Sequence, residues 1–279
     1  MQATAREPIG LLAGWGRFPI VIAEKARLLG IPVVCVGIRG MAVKAELAPL
    51  VDRFYWTRLA ALNRPIRCFR SEGVRRWTMA GKVFKVNIFQ PFRMLTLFPD
   101  LRMLRAWYSH RRDNKDDTLM LSLINEYARD GLTCTSALDL CPELLVRQGV
   151  LTKRKPTASE DRDIAFGWDL AKEMGRLDVG QSVMVRERAV LAVEAVEGTD
   201  LAIRRAGELC RSGGFVVVKV AKPQQDMRFD VPAVGASTIE TMKKAGAKVL
   251  AIEAGKTILL DETETIALAD RYGIAITAL

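Results

Sequence analysis

Residues 215–235 read FVVVKVAKPQQDMRFDVPAVG, an apolar β-branched run that ends abruptly in a loop dense with charge. Phe215 to Val220 predicts a buried strand, because four valines and a phenylalanine suit a pleated core position and Gly213-Gly214 marks its start. In the polar loop that follows, Lys219 and Lys222 suit an anion, and Asp226 and Asp230 suit a divalent cation or an activated water. Pro223 and Pro232 restrain the backbone between them. Ligands of open α/β sheets sit beyond the carboxyl ends of strands, which is where this loop falls. The competing reading is a solvated loop whose Lys and Asp side chains only pair with one another.

Residues 189–205, AVLAVEAVEGTDLAIRR, repeat the arrangement: a strand to about Val193, then Glu194, Glu197, Gly198, Thr199 and Asp200. Thr199 is the expected N-cap of a helix running to about Arg211, whose free N–H groups and dipole favour an anion such as phosphate. Arg204 and Arg205 lie one turn inward. Acidic residues favour helix N-termini without any catalytic role, so Asp200 also has an ordinary explanation.

Taken with DVGQ at 178–181, the C-terminal half carries DVGQ, VEAVEGTD, IRRAG and VKVAKPQQDMRFDVPAVG in that order and at close spacing. This series resembles the LpxI family of UDP-2,3-diacylglucosamine pyrophosphatases of bacterial lipid A biosynthesis. The resemblance is strongest over 178–235 and extends through AGWGRFP at 13–19, MAGKV at 79–83 and Asp116-Asp117. It implies a Mg²⁺-dependent (or Mn²⁺-dependent) hydrolase that splits UDP-2,3-diacylglucosamine into UMP and 2,3-diacylglucosamine 1-phosphate, with water attacking the β-phosphorus. The lipid product is an implied partner; cysteine usage and a local excess of basic charge separately suggest a cytoplasmic protein peripheral to the inner membrane, with an anionic membrane surface as a partner. The expected catalytic residues are Asp226, Lys222 and Asp200, with Asp226 leading as metal ligand or base. Expected metal ligands are Asp226, Glu197, Asp200, Asp230 and Glu194. The expected substrate contacts are Gly14, Gly16, Thr199, Arg204, Arg205, Lys219 and Gln181. Magnesium usually takes only one or two carboxylates plus substrate phosphate oxygens, so some of the five must do other work.

The whole chain has the length for two α/β domains at 279 residues, placed at 1–141 and 142–279, the first Rossmann-like, with the active site between or near them. Pro8 to Gly14 predicts a strand, Gly14-Trp15-Gly16 a turn, residues 18–29 a helix and Ile31 to Ile38 a second strand. The dinucleotide fingerprint is incomplete, since Pro19 replaces the third glycine and no acidic residue ends the second strand. That argues against NAD and leaves Gly14 and Gly16 as a phosphate contact or simply a tight connection.

Five cysteines without a C-x-x-C pair suggest neither a disulfide framework nor a zinc ribbon. A single histidine, His110, lies far in sequence from the carboxylate loops, which weighs against Ser-His-Asp chemistry, and no GxxxxGK[ST] occurs. No stretch approaches the ~20 apolar residues of a membrane span. The net charge of +10 is local: residues 64–112 hold 12 of the 42 Lys and Arg against Glu72 and Asp100, leaving 30 basic and 30 acidic residues elsewhere. Phe84, Phe89, Phe92, Leu95, Phe98, Leu101, Leu104 and Trp107 interleave with this charge, a mixture suited to an anionic membrane or acylated ligand more than to nucleic acid. A nucleotide-sugar binding protein and a nucleotidyltransferase acting on an anionic acceptor are the competing function classes. A homodimer is considered, with no sequence feature that fixes it.

Overall fold

The computed structural model describes residues 6–83, 99–109 and 116–279. The basic aromatic stretch 84–98, together with His110 and Asp113, therefore lies outside the described residues. Contacts divide the chain into two compact units, Met1–Pro142 with Asp226–Phe229, and Glu143–Gln225 with Asp230–Leu279.

In the N-terminal unit the described elements are β1 (Ile9–Ala13), α1 (Phe18–Leu28), β2 (Val33–Ile38), α2 (Lys44–Leu47), β3 (Arg53–Thr57), α3 (Asn63–Ser71), β4 (Arg76–Ala80), α4 (Leu101–Ser109), α5 (Asp116–Arg129) and β5 (Thr133–Cys134). The five strands form one parallel sheet in the order β3-β2-β1-β4-β5. That order reverses direction at β1, as in doubly wound folds. β2 is buried at every position, as a parallel strand covered on both faces must be. Trp77, Phe69 and Tyr127 centre this unit's core, with the Trp77 and Tyr127 rings stacked at 4.0 Å between centroids.

Gly14 and Gly81 explain the two N-terminal motifs. A Cβ on Gly14 would lie 2.8 Å from the Lys82 carbonyl, and one on Gly81 would lie 2.8 Å from the Gly14 carbonyl carbon. Only glycine permits the backbones following β1 and β4 to approach this closely. Trp15 and Lys82 then exchange backbone hydrogen bonds at 3.0 and 2.8 Å. Gly16 takes a φ of 103°, a conformation that other residues rarely adopt.

The C-terminal unit contains β6 (Gly149–Val150), α6 (Ala158–Arg176), β7 (Ser182–Arg186), β8 (Ala189–Val193), α7 (Thr199–Leu209), β9 (Val216–Lys219), β10 (Ala233–Val234), α8 (Ala236–Ala245), β11 (Val249–Ile252), β12 (Ile258–Leu259), α9 (Glu262–Tyr272) and β13 (Ala275–Ala278). Its six-stranded sheet runs β6-β13-β11-β9-β7-β8, parallel through β13, β11 and β9 and antiparallel at β6, β7 and β8. The strand expected from Phe215 to Val220 is shorter, since the chain leaves the ladder after Lys219. Alternation along β9 divides its valines between two cores. Val217 packs with residues of α7, α8 and α9, and Val216 and Val218 pack with Ile164, Ala171 and Met174 of α6.

α6 begins at Ala158 because Thr157 and Glu160 form a reciprocal capping box. Its interior Gly167 lets the helix lie close on the sheet: a Cβ there would meet Val218 Cγ2 at 2.9 Å and Val185 Cγ2 at 3.0 Å. Gly167→Leu should therefore destabilise the protein by about 1–3 kcal/mol through overpacking. Urea unfolding should show a lower midpoint at unchanged slope; an unaltered midpoint would mean that α6 is not held at this distance.

Candidate active site

β9 ends by burying a charge. Lys219 is only 5% exposed, and its Nζ donates to Thr199 Oγ1 at 3.2 Å and to the Ala233 carbonyl at 3.1 Å. Thr199 in turn donates to Glu194 Oε1 at 3.0 Å and lies 3.4 Å from Ser182 Oγ. This inward use of the hydroxyl corrects the expectation that Thr199 caps α7. Gly198 is the N-cap, with φ 85° and no side-chain cap, and Thr199 is the first helical residue. Glu194 is buried, and its Oε2 has no hydrogen-bond partner among the described residues.

The DVGQ segment holds this network from the other side. A Cβ on Gly180 would overlap the Glu194 carbonyl, so the chain passes Glu194 only because residue 180 has no side chain. Asp178 sits at a left-handed φ of 57° and accepts from Lys222 Nζ at 2.6 Å. Asp230 approaches the same ammonium at 3.8 Å. The Gln181 carbonyl accepts from Val220 N at 3.0 Å, and its side chain meets Gln225 at 3.5 Å. Gln225 Oε1 accepts from Lys222 N at 2.7 Å, closing the turn after Pro223.

Glu253, one residue past β11, is the partner that sequence reading missed. It accepts from Lys172 Nζ at 2.5 Å, Lys256 Nζ at 3.0 Å and Ala221 N at 2.8 Å. Burial pushes its carboxyl up, and these three donors outweigh that, leaving it below the ordinary glutamate range. Lys172 also donates to the Ala221 carbonyl at 3.1 Å, so one ion pair ties α6 to the ends of β9 and β11.

Asp226 belongs, by its contacts, to the N-terminal unit. Its carboxylate is gripped by the Arg228 guanidinium at 2.6, 3.0 and 3.1 Å and accepts from Arg228 N at 3.0 Å. The guanidinium bonds hold its pKa below the usual aspartate value against the opposing effect of burial, and the backbone N–H adds to the depression. Within the same unit, Ser136 Oγ donates to the Met227 carbonyl at 2.8 Å and Phe229 packs on the Trp77 core. The loop is therefore pinned on both sides of Arg228.

Of the other expected residues, Asp200 stands in the first turn of α7 and Arg204 is exposed. Arg205 donates to Glu197 at 2.8 Å and to the Val193 carbonyl at 2.6 Å, making it a brace across the start of α7. The side chains of Asp116 and Asp117, which open α5, are not among those described. Among the described residues no three His, Cys, Asp or Glu side chains gather as a metal-ligating group. A protein cage of five carboxylates does not fit that arrangement. A magnesium ion that takes one or two carboxylates with substrate oxygens does fit, and Glu194 Oε2 is a buried hard oxygen of the required kind. All five cysteines are free; burial pushes the Cys35 thiol up to about 12, which removes it as a nucleophile.

Parallel strands that end in lysines, carboxylates and a helix N-terminus define an α/β protein built to handle phosphate groups. Residues 8–144 match the family model of the LpxI N-terminal domain and residues 147–277 that of the LpxI C-terminal domain, so the chain belongs to the LpxI family. It is 31% identical over 279 residues to the UDP-2,3-diacylglucosamine pyrophosphatase LpxI of Caulobacter vibrioides (strain ATCC 19089 / CIP 103742 / CB 15), covering 95% of each chain.

Removing the Arg228 clamp should raise the pKa of Asp226, because the charged carboxylate loses its principal donor. Carboxyl-carbon NMR titration of Arg228→Gln should show the shift upward, toward the ordinary aspartate range. An unchanged titration would mean that the pair does not form in solution.

Proposed function

We propose that the chain hydrolyses the diphosphate of UDP-2,3-diacylglucosamine to UMP and 2,3-diacylglucosamine 1-phosphate in lipid A biosynthesis. The observation that carries this reading is the similarity, over 95% of both chains, to a protein named for that activity. The arrangement of lysines and carboxylates supports it. Lys222 supplies a partly buried ammonium, held by Asp178, to complement a phosphoryl oxygen. Lys219 and Thr199 keep the N-terminal end of α7 electropositive where a phosphate would approach it. Asp226, kept ionised by Arg228, is a poor proton acceptor and a good anionic ligand or orienting acceptor for water.

Mg²⁺ or Mn²⁺ belongs to the same proposal, with Asp226 as the favoured ligand. When bound, the ion would neutralise charge developing on the diphosphate. Water attacks the β-phosphorus, the bond to the bridging oxygen breaks, and UMP leaves with that oxygen.

We further propose a peripheral association with anionic membrane through exposed basic side chains of the N-terminal unit. No helix among the described residues is long and apolar enough to cross a membrane. Arg75, Arg76 and Arg105 are exposed, whereas Arg102 is committed to Asp130.

Purified protein should release UMP from UDP-2,3-diacylglucosamine without any acceptor, which separates a hydrolase from a nucleotidyltransferase and from a binding protein. EDTA should stop the reaction and Mg²⁺ or Mn²⁺ restore it. Asp226→Ala should lower kcat by roughly 10²-fold or more while the protein stays folded. Near-normal turnover in that variant, or full activity in metal-free buffer, would sink the corresponding assignment. Arg75→Gln, Arg76→Gln and Arg105→Gln together should weaken sedimentation with phosphatidylglycerol vesicles, as added salt should, each charge contributing about 1 kcal/mol. Vesicle binding indifferent to both would reject the membrane role.

A further inference from the structure

The N-terminal unit contains a cavity of about 310 Å³ lined by Arg39, Trp56, Arg58, Arg64, Arg67 and Asp100 among others. Its position follows from the sheet. Ile38 of β2 pairs with Thr57 of β3, so Arg39 and Arg58 leave the ends of adjacent parallel strands at one level, and Arg39 N donates to the Thr57 carbonyl at 2.9 Å. α3 starts at Asn63, which puts Arg64 and Arg67 on successive positions of one helix face in its first turns. Four arginines, all exposed, thus line one cavity beyond the carboxyl ends of two parallel strands, where open α/β sheets bind their ligands.

Asp100 forms no ion pair with them among the described residues. Its Oδ2 accepts from Asn63 N at 2.6 Å and its Oδ1 from Met103 N at 2.9 Å, so both oxygens cap helix N-termini. Arg39, Arg64 and Arg67 form no ion pair among the described residues, and the Arg64 side chain is oriented by a bond to the Trp56 carbonyl. One carboxylate does not balance the like charges of this lining, and an anion with several acceptor oxygens would relieve their repulsion. The indole of Trp56 is fixed edge-to-face on Phe54 at 5.0 Å between centroids and adds an apolar wall to the cavity. The volume suits a phosphoryl group with a small ring attached.

We infer that this cavity is a binding site for a phosphoryl group, with Arg39, Arg64 and Arg67 as its donors. The site goes beyond the hydrolase reading and does not rest on it, because it uses none of the residues given a part in hydrolysis. A phosphoryl group is offered both by a small phosphate ester and by a lipid headgroup, and the two sources call for separate arms of one experiment.

Full-length protein would be titrated calorimetrically with inorganic phosphate and with UMP, and sedimented with vesicles of phosphatidylcholine with and without phosphatidic acid. The proteins compared are wild type, Arg39→Gln/Arg67→Gln, and Lys155→Gln/Arg162→Gln, which removes the same charge from exposed positions of the other unit. Tryptophan fluorescence of wild type and Trp56→Phe reports whether the ligand reaches this cavity. The expected result is a loss of about tenfold or more in affinity for the phosphoryl probe in Arg39→Gln/Arg67→Gln alone, and a fluorescence change that Trp56→Phe abolishes. UMP bound more tightly than phosphate, with that affinity lost in Arg39→Gln/Arg67→Gln, identifies a small ester as the source; loss confined to phosphatidic acid vesicles identifies a headgroup. Equal affinity in all three proteins, an equal loss in both double variants, or no binding of any probe would overturn the assignment. Circular dichroism melting checks that the variants are folded, and failure of UMP release in the activity assay leaves these titrations unaffected.

Discussion

The C-terminal unit depends on burying charge at the ends of its central strands. A buried ammonium or carboxylate is tolerated only when polar partners replace its lost water. Lys219 obtains its partners from Thr199 at the start of α7 and from the carbonyl of Ala233, and Thr199 is oriented by Glu194 just beyond β8. Glu253 obtains its partners from α6, from the backbone after β9 and from Lys256. Each buried charge therefore fixes several segments at once, and removal of one partner leaves the other uncompensated. The same constraint places lysines and carboxylates beside one another in a rigid frame, which is the arrangement that recognition of a diphosphate needs.

Close backbone approach is the second device, and it explains why motifs in this chain carry glycine. Gly180 lets the DVGQ segment pass Glu194, Gly167 seats α6 on β7 and β9, and Gly14 faces Gly81 between β1 and β4. In none of these places is the glycine a ligand by necessity. Gly14 has a complete explanation in its contact with Lys82, whereas the arginine cavity beyond β2 and β3 accounts for charge that packing leaves unexplained.

Much of this was legible in the sequence. The valine run at 216–218, the helix running to about Arg211 and the strand-turn-helix-strand opening all carry strong local signals, and the structure places elements over each of them. The start of α6 is also written in the sequence, as Thr157 followed three residues later by Glu160. The reading of Thr199 went astray because a threonine before a helical pattern is ordinarily a cap, and a buried lysine 20 residues away claims its hydroxyl instead. Glu253 and Lys172, 81 residues apart, form a pair that no local pattern announces. Arg228 was closer to hand, two residues from Asp226 in the same loop; what the sequence did not reveal is that its guanidinium turns back onto that carboxylate.

The central claim is that water, positioned by this chain's own carboxylates, cleaves a phosphoanhydride with UMP as the leaving group. Its most direct test is mass spectrometry of the products formed from UDP-2,3-diacylglucosamine in ¹⁸O-labelled water. The expected result is one labelled oxygen in 2,3-diacylglucosamine 1-phosphate and none in UMP. Label in UMP, or no cleavage by the folded, metal-supplied protein, would contradict it.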